Sequence, residues 1–181
     1  IWRMNMPNFG VEGKLGGGKT IYAVQEAFKR MENGQRVAAN VDLFPEKIFP
    51  PWWNETRVRL TRIPDHPIRD DLDALGWGNT NPDERKNGLL ILDECGIILN
   101  SRTFQDSERN NLINWFLNAR KLGWDVMFIV QNISMLDKQI RDSLIEYRIT
   151  VRRMDRYRVP VLSWLGIKVN MPRIHFAIVR Y

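Results

Sequence analysis

The stretch GKLGGGKT at residues 13–20 narrows what this chain can fold into more than any other feature. Gly13, four further residues and then Gly18-Lys19-Thr20 is the spacing of a phosphate-binding loop, G-x-x-x-x-G-K-[ST]. Gly13, Gly16, Gly17 and Gly18 allow backbone conformations closed to other residues and a close approach to a ligand. Successive N–H groups can then converge into a nest for an anion. Lys19 would bring positive charge to the β- and γ-phosphates, and the Thr20 hydroxyl suits Mg²⁺. Such a loop requires a strand before it and a helix after it. Asn8–Glu12 reads as a short, unusually polar strand. A helix is expected from Lys19 through Glu32, with Ile21, Val24, Ala27, Phe28 and Met31 at helical spacing. Its N-terminal end favours the same anion, and Asn33-Gly34 is a C-terminal stop signal.

Further along, Leu89-Leu90-Ile91-Leu92 is a continuous apolar run that ends in Asp93-Glu94. Unbroken apolar strands mark a parallel sheet covered on both faces, and acids at the C-terminal end of such a strand lie at the ligand edge of an open α/β sheet. With the loop upstream, this reads as a Walker B element. Asp93 is expected to hold Mg²⁺ through water, and Glu94 to orient or deprotonate the attacking water. Asp125–Val130 is a second buried strand, ending at Gln131-Asn132. If it lies between the loop strand and the Walker B strand, Gln131 reaches the γ-phosphate as a sensor. The expected fold is therefore α/β: a P-loop NTPase of the additional-strand class, with a mainly parallel sheet flanked by helices.

The remaining chain reads as strands over 36–41 and 57–63, helices over 106–121 and 134–147, and late strands over 149–154, 157–164 and 174–181. Leu112, Trp115, Phe116 and Ala119 form the apolar face of the helix that Gly123 ends. Trp52-Trp53, in a proline-rich loop, reads as a packing plug. Residues 64–88 carry six acids against three bases and many Pro, Gly and Asn, which suggests a surface insertion within a single domain over 1–181. Residues 148–158 hold five arginines against one aspartate. That segment could face nucleic acid or anionic lipid, or be a solvated edge strand kept soluble by its charge.

Composition removes several alternatives. A single cysteine, Cys95, excludes an internal disulfide and suits a reducing compartment; beside Glu94 it reads as a core thiol. His66 and His175 lack the spacing of a metal site. The chain has no GxSxG or HExxH stretch, and the lack of an NKxD stretch favours ATP over GTP. No apolar run reaches the length of about 18 residues that a spanning helix needs, and the start, IWRMNMPNFG, lacks the apolar region of a signal peptide. The first residue is not Met, so the chain is expected to be a trimmed piece, with any anchor lying C-terminal to it.

GKLGGGKT, then LLILDE, then NARKLGWDVMFIVQN and a helix with KQIRD resemble the N-terminal domain of the zonular occludens toxin family, which includes the gene I assembly proteins of filamentous phages. The resemblance runs across nearly the whole chain, and the ARxLGWD-to-QN stretch is its most specific part. It implies an FtsK/HerA-like ATPase that uses ATP and Mg²⁺, sits at the cytoplasmic face of the host inner membrane, and belongs to a protein with one membrane helix and a periplasmic tail. It implies a homo-oligomeric ring, expected as a hexamer, that works with other phage assembly proteins to extrude single-stranded phage DNA as coat protein assembles around it. By resemblance, Lys19, Thr20, Asp93, Glu94 and Gln131 take the nucleotide roles, and Arg120, in the ARxLGWD segment, is suggested as a trans-acting finger. Two other readings stay open. One is a nucleotide-gated switch that recruits coat or envelope partners with little hydrolysis; the other is a DNA-binding protein acting through residues 148–158.

Overall fold

A computed structural model describes residues 8–52, 58–99, 106–136, 138–154 and 174–180. Seven strands form one sheet: β1 (Asn8–Glu12), β2 (Arg36–Ala39), β3 (Arg59–Arg62), β4 (Gly88–Leu92), β5 (Trp124–Val130), β6 (Tyr147–Arg153) and β7 (His175–Arg180). Their spatial order is β3-β2-β4-β5-β1-β6-β7. Every pairing is parallel except the last, β6 with β7. The helices are α1 (Lys19–Glu32), α2 (Arg69–Asp73), α3 (Cys95–Ile98), α4 (Asp106–Asn118) and α5 (Lys138–Leu144).

The central strands are apolar without interruption because both faces of the sheet are covered. Side chains alternate along a strand, so Leu89 and Ile91 of β4 and Met127 and Ile129 of β5 join Phe9, Val11, Ala23, Ala27 and Met31 under α1. Leu90, Leu92, Val126, Phe128 and Val130 join Leu112, Trp115, Phe116, Ile140 and Leu144 on the other face. Phe116 lies edge-on between Trp115 and Phe128, with ring centroids 5.7 and 5.3 Å away. Helix α1 starts at Lys19, and Gly123 (φ 73°) closes the turn after α4 in the left-handed region, both as the sequence reading expects.

The polarity of β1 has a structural cause. A Cβ on Gly10 would lie 2.9 Å from Ile133 Cδ1 and 3.0 Å from Ile145 Cδ1, so the missing side chain is filled by the segment that follows β5. The Glu12 carboxylate accepts hydrogen bonds from the Ile133 N–H (3.1 Å) and the Thr150 hydroxyl (3.0 Å). It thereby ties the end of β1 to the turn after β5 and to the middle of β6.

Several expectations change. The segment 134–147 is not one helix. The Asn132 side chain caps a 3₁₀ turn over Ile133–Met135, Leu136 is extended, α5 covers only Lys138–Leu144, and Tyr147 already belongs to β6. The helix over 106–121 stops at Asn118 and tightens into a 3₁₀ turn, Ala119–Leu122. Strand β6 is not an edge strand, because β1 and β7 flank it. Trp52 is 76% exposed and plugs nothing, while Trp115 and Trp124 are buried. Trp53 and the strand expected over 157–164 lie outside the described residues. Residues 64–88 are mostly exposed, but Leu72 and Leu75 enter the same core as α4.

At the sheet edge where α1 ends, Asp125 is 2% exposed and Arg30 Nη2 lies 2.8 Å from its Oδ2. The Asn87 amide donates to Asp125 Oδ1 at 3.0 Å, and Arg30 and Gln35 both donate to the Asn87 carbonyl. Burial pushes the Asp125 carboxyl above its ordinary range, and Arg30 and Asn87 pull the other way. Removing one partner of a buried ion pair leaves an uncompensated group. Arg30→Met should therefore lower the unfolding free energy by about 3–5 kcal/mol, measured by urea denaturation.

Candidate nucleotide site

All strands of the parallel region end at one edge of the sheet, where β1 gives way to the glycine-rich loop. Gly16 (φ 66°) and Gly18 (φ 99°) take left-handed backbone that other residues adopt only under strain. The loop is also closely packed. A Cβ on Gly13 would lie 2.7 Å from the Val151 carbonyl oxygen, and one on Gly17 would lie 2.7 Å from that of Lys14, which accepts the Gly17 N–H at 2.8 Å. The Lys19 ammonium folds back over the loop and donates to the Gly13 carbonyl at 2.9 Å. Thr20 follows, exposed, in the first turn of α1. This cradle fits a phosphate chain: the glycines remove the side chains that would obstruct it, and Lys19 can exchange a neutral carbonyl for an anionic oxygen.

Asp93 and Glu94 leave the end of β4 at the same edge. Asn40, directly after β2 and 7% exposed, organises them. Its Oδ1 accepts the Asp93 N–H at 2.7 Å, and its Nδ2 donates to the Asp93 carbonyl at 3.1 Å and the Asp65 carbonyl at 3.2 Å. Asp93 Oδ1 then accepts the Glu94 N–H at 2.7 Å. Glu94 has φ 56°, the one non-glycine left-handed residue among those described, and its side chain is exposed. Cys95 is fully buried and donates to the Leu92 carbonyl, and burial raises its thiol far above the ordinary range. It packs under the acids and is not placed to react.

Strand β5 lies between β1 and β4, so Gln131 emerges between the loop and the acid pair. With Glu12, Gly13, Lys14 and Gly17, it borders a cavity of about 560 Å³ whose other wall is β6. Gly13, Gly16, Gly17, Gly18, Lys19, Thr20, Asp93, Glu94 and Gln131 thus gather at one sheet edge. Arg120 does not. It sits before the start of β5, at the opposite edge, and holds Glu84 through Nε (3.1 Å) and Nη2 (2.6 Å). The sequence reading misses Glu12 and Asn40. Asn40 is the residue after a parallel strand's C-terminal end, and that position is the signal that could have found it. Arg153 and His175 also reach the loop, and no local pattern announces them.

The zonular occludens toxin (Zot) family model matches residues 9–172. The chain belongs to the Zot family. It is 45% identical to the Gene 1 protein of Escherichia phage If1, covering 97% of this chain and 51% of that protein. It is 42% identical to the Gene 1 protein of Salmonella phage IKe, covering 97% and 50%. The chain therefore spans about half the length of the curated relatives it matches. Among solved structures, B204, the DNA-packaging ATPase from Sulfolobus Turreted Icosahedral Virus, superposes with a TM-score of 0.53 at 13% identity, over 90% of this chain and 82% of that one. The cytoplasmic domain of the Thermomonospora curvata type VII secretion ATPase EccC gives 0.50 at 14% identity, over 80% and 20%. At these identities the likeness is one of fold: this Zot-family chain has the additional-strand P-loop NTPase architecture.

Asn40 leaves a direct test. Asn40→Ala removes two donor contacts and the acceptor of the Asp93 N–H. It should cost about 1–3 kcal/mol of stability, read from chemical denaturation midpoints.

Proposed function

We propose that this chain is the Mg²⁺-dependent ATPase module of a filamentous phage assembly protein. One observation carries the reading: β5 separates the loop strand from the acid-bearing strand, which sets Gln131 between a lysine-closed glycine cradle and the Asp93-Glu94 pair. Membership of a family with phage Gene 1 proteins supports the phage setting.

In this reading Lys19 and the loop N–H groups hold the triphosphate of ATP. Mg²⁺ supplies charge compensation between the phosphates when bound, with the Thr20 hydroxyl and the Asp93 carboxylate as the oxygens that would hold it. Glu94 orients and deprotonates the attacking water, and Gln131 reports the state of the γ-phosphate. The module acts as a homo-oligomeric ring, a hexamer, at the cytoplasmic face of the host inner membrane, attached through a segment C-terminal to it. It works with other phage assembly proteins to drive extrusion of single-stranded phage DNA into its coat protein. An arginine from a neighbouring copy supplies transition-state charge; Arg120 serves only in trans, since in its own chain it is bound to Glu84 at the far edge. That ion pair is also the observation that favours the second reading, a switch module that binds nucleotide and hydrolyses little.

Mg²⁺-ATP hydrolysis measured across protein concentrations tests both readings. Turnover per chain should rise with concentration and fall by about 10²-fold or more in Glu94→Gln, as for loss of a general base, while ATP binding persists. ATP bound with no turnover at any concentration would favour the switch. Lys19→Ala should abolish measurable ATP binding, and wild-type affinity in that variant would remove the nucleotide reading altogether.

A further inference from the structure

The glycine loop has a second wall. Strands β6 and β7 pair antiparallel, and Arg153, the last residue of β6, stands directly opposite His175, the first of β7. Both reach the loop. Arg153 Nη1 donates to the Gly16 carbonyl at 3.3 Å. A Cβ on Gly18 would lie 2.3 Å from His175 Cδ2 and 3.0 Å from Nε2, so the edge of the imidazole rests on that glycine. Gly16 and Gly18 are the two loop residues in left-handed conformation, and their backbone shapes the anion nest. Arg153 also borders the cavity that Gly13, Gly17 and Gln131 line.

We propose that Arg153 and His175 are direct contacts of the nucleotide's phosphates, supplied in cis by the last two strands. The proposal rests on the nucleotide reading above. A polyanion seated between Gly16 and Gly18 lies beside both side chains. A guanidinium suits phosphate oxygens because it presents several fixed donors and keeps its charge. The imidazole edge beside Gly18 can donate to one more oxygen. This gives the loop a cation besides Lys19 from its own chain.

The test compares binding of Mg²⁺-ATP and of inorganic tripolyphosphate, by calorimetry, to the wild-type chain, Lys19→Ala, Arg153→Ala, Arg153→Lys, His175→Ala and His175→Gln. Melting temperatures are recorded with and without ligand. Arg153→Ala should weaken both ligands by about tenfold to a hundredfold, the size of one charge-assisted hydrogen bond. Arg153→Lys should recover part of that loss, and His175→Ala should weaken both by several-fold. The ligand-free melting temperature should stay near the wild-type value while the ligand-induced rise shrinks, which a purely structural role would not produce. Should an alanine variant fail to fold, Arg153→Lys and His175→Gln carry the same comparison. Wild-type affinity in the Arg153 and His175 variants, with Lys19→Ala inactive, overturns this proposal alone. A loss seen with ATP but not with tripolyphosphate overturns it too, because the contact would then be to the nucleoside. No binding by the wild-type chain overturns the nucleotide reading and this proposal with it.

Discussion

The buried contact between Arg30 and Asp125 fixes the geometry on which the rest depends. It ties the last turn of α1 to the first residues of β5. A helix of 14 residues extends about 21 Å. A strand of seven extends about 23 Å. The two elements therefore cross the same layer of the molecule, and joining them at one end sets their register at the other. At that other end lie Lys19, where α1 begins, and Gln131, where β5 stops. The Glu12 carboxylate makes the matching tie there, joining β1 to the turn after β5 and to β6. A polar clamp at each edge thus holds an apolar sheet in a single register. Hydrophobic burial stabilises such a sheet but discriminates poorly between registers, because its strands are apolar on both faces.

What the sequence makes legible is what local chemistry decides. The loop spacing marks the left-handed glycine turn between β1 and α1. The unbroken runs Leu89–Leu92 and Asp125–Val130 mark strands covered on both sides, and the periodicity of residues 20–32 marks α1. Arguments from distance along the chain fail where a contact from elsewhere decides the outcome. The apolar residues of 134–147 suit a helix, but Asn132 caps a tighter turn and the chain must reach β6 beside β1. The alternating charges of β6 resemble those of an edge strand, yet β7 covers it. Trp52 resembles a core residue by type alone. Asn40 touches Asp93 across 53 positions, and Arg153 touches Gly16 across 137. No window of sequence contains either pair.

The acid pair shows how the fold gives adjacent identical charges different surroundings. Asp93 is half-buried, and both its backbone groups are held by Asn40. One of its carboxylate oxygens accepts the next N–H. Its position is thus set before any ligand arrives. Glu94 is pushed into left-handed backbone, which costs an L-residue about 1–2 kcal/mol, and the hydrogen bond from its N–H to Asp93 opposes that cost. The left-handed step turns the chain sharply at the end of β4. It sends the Glu94 side chain outward while Cys95 turns into the core.

Strain of this kind persists only where surrounding contacts over-determine it. Here those contacts run from Glu94 through Asp93 to Asn40 at the end of β2, the neighbouring strand. Under the proposed reading, a cation drawn to Asp93 would act on the residue that also holds Glu94 in place. The position of the base would then depend on the state of the metal site through one hydrogen bond. A glycine at 94 would relieve the strain but lose the carboxylate. A straight continuation of β4 would keep the carboxylate but turn it toward the sheet face that Leu90 and Leu92 bury. The strained backbone is therefore the local device that takes Glu94 off the sheet at the end of β4 and leaves its side chain exposed.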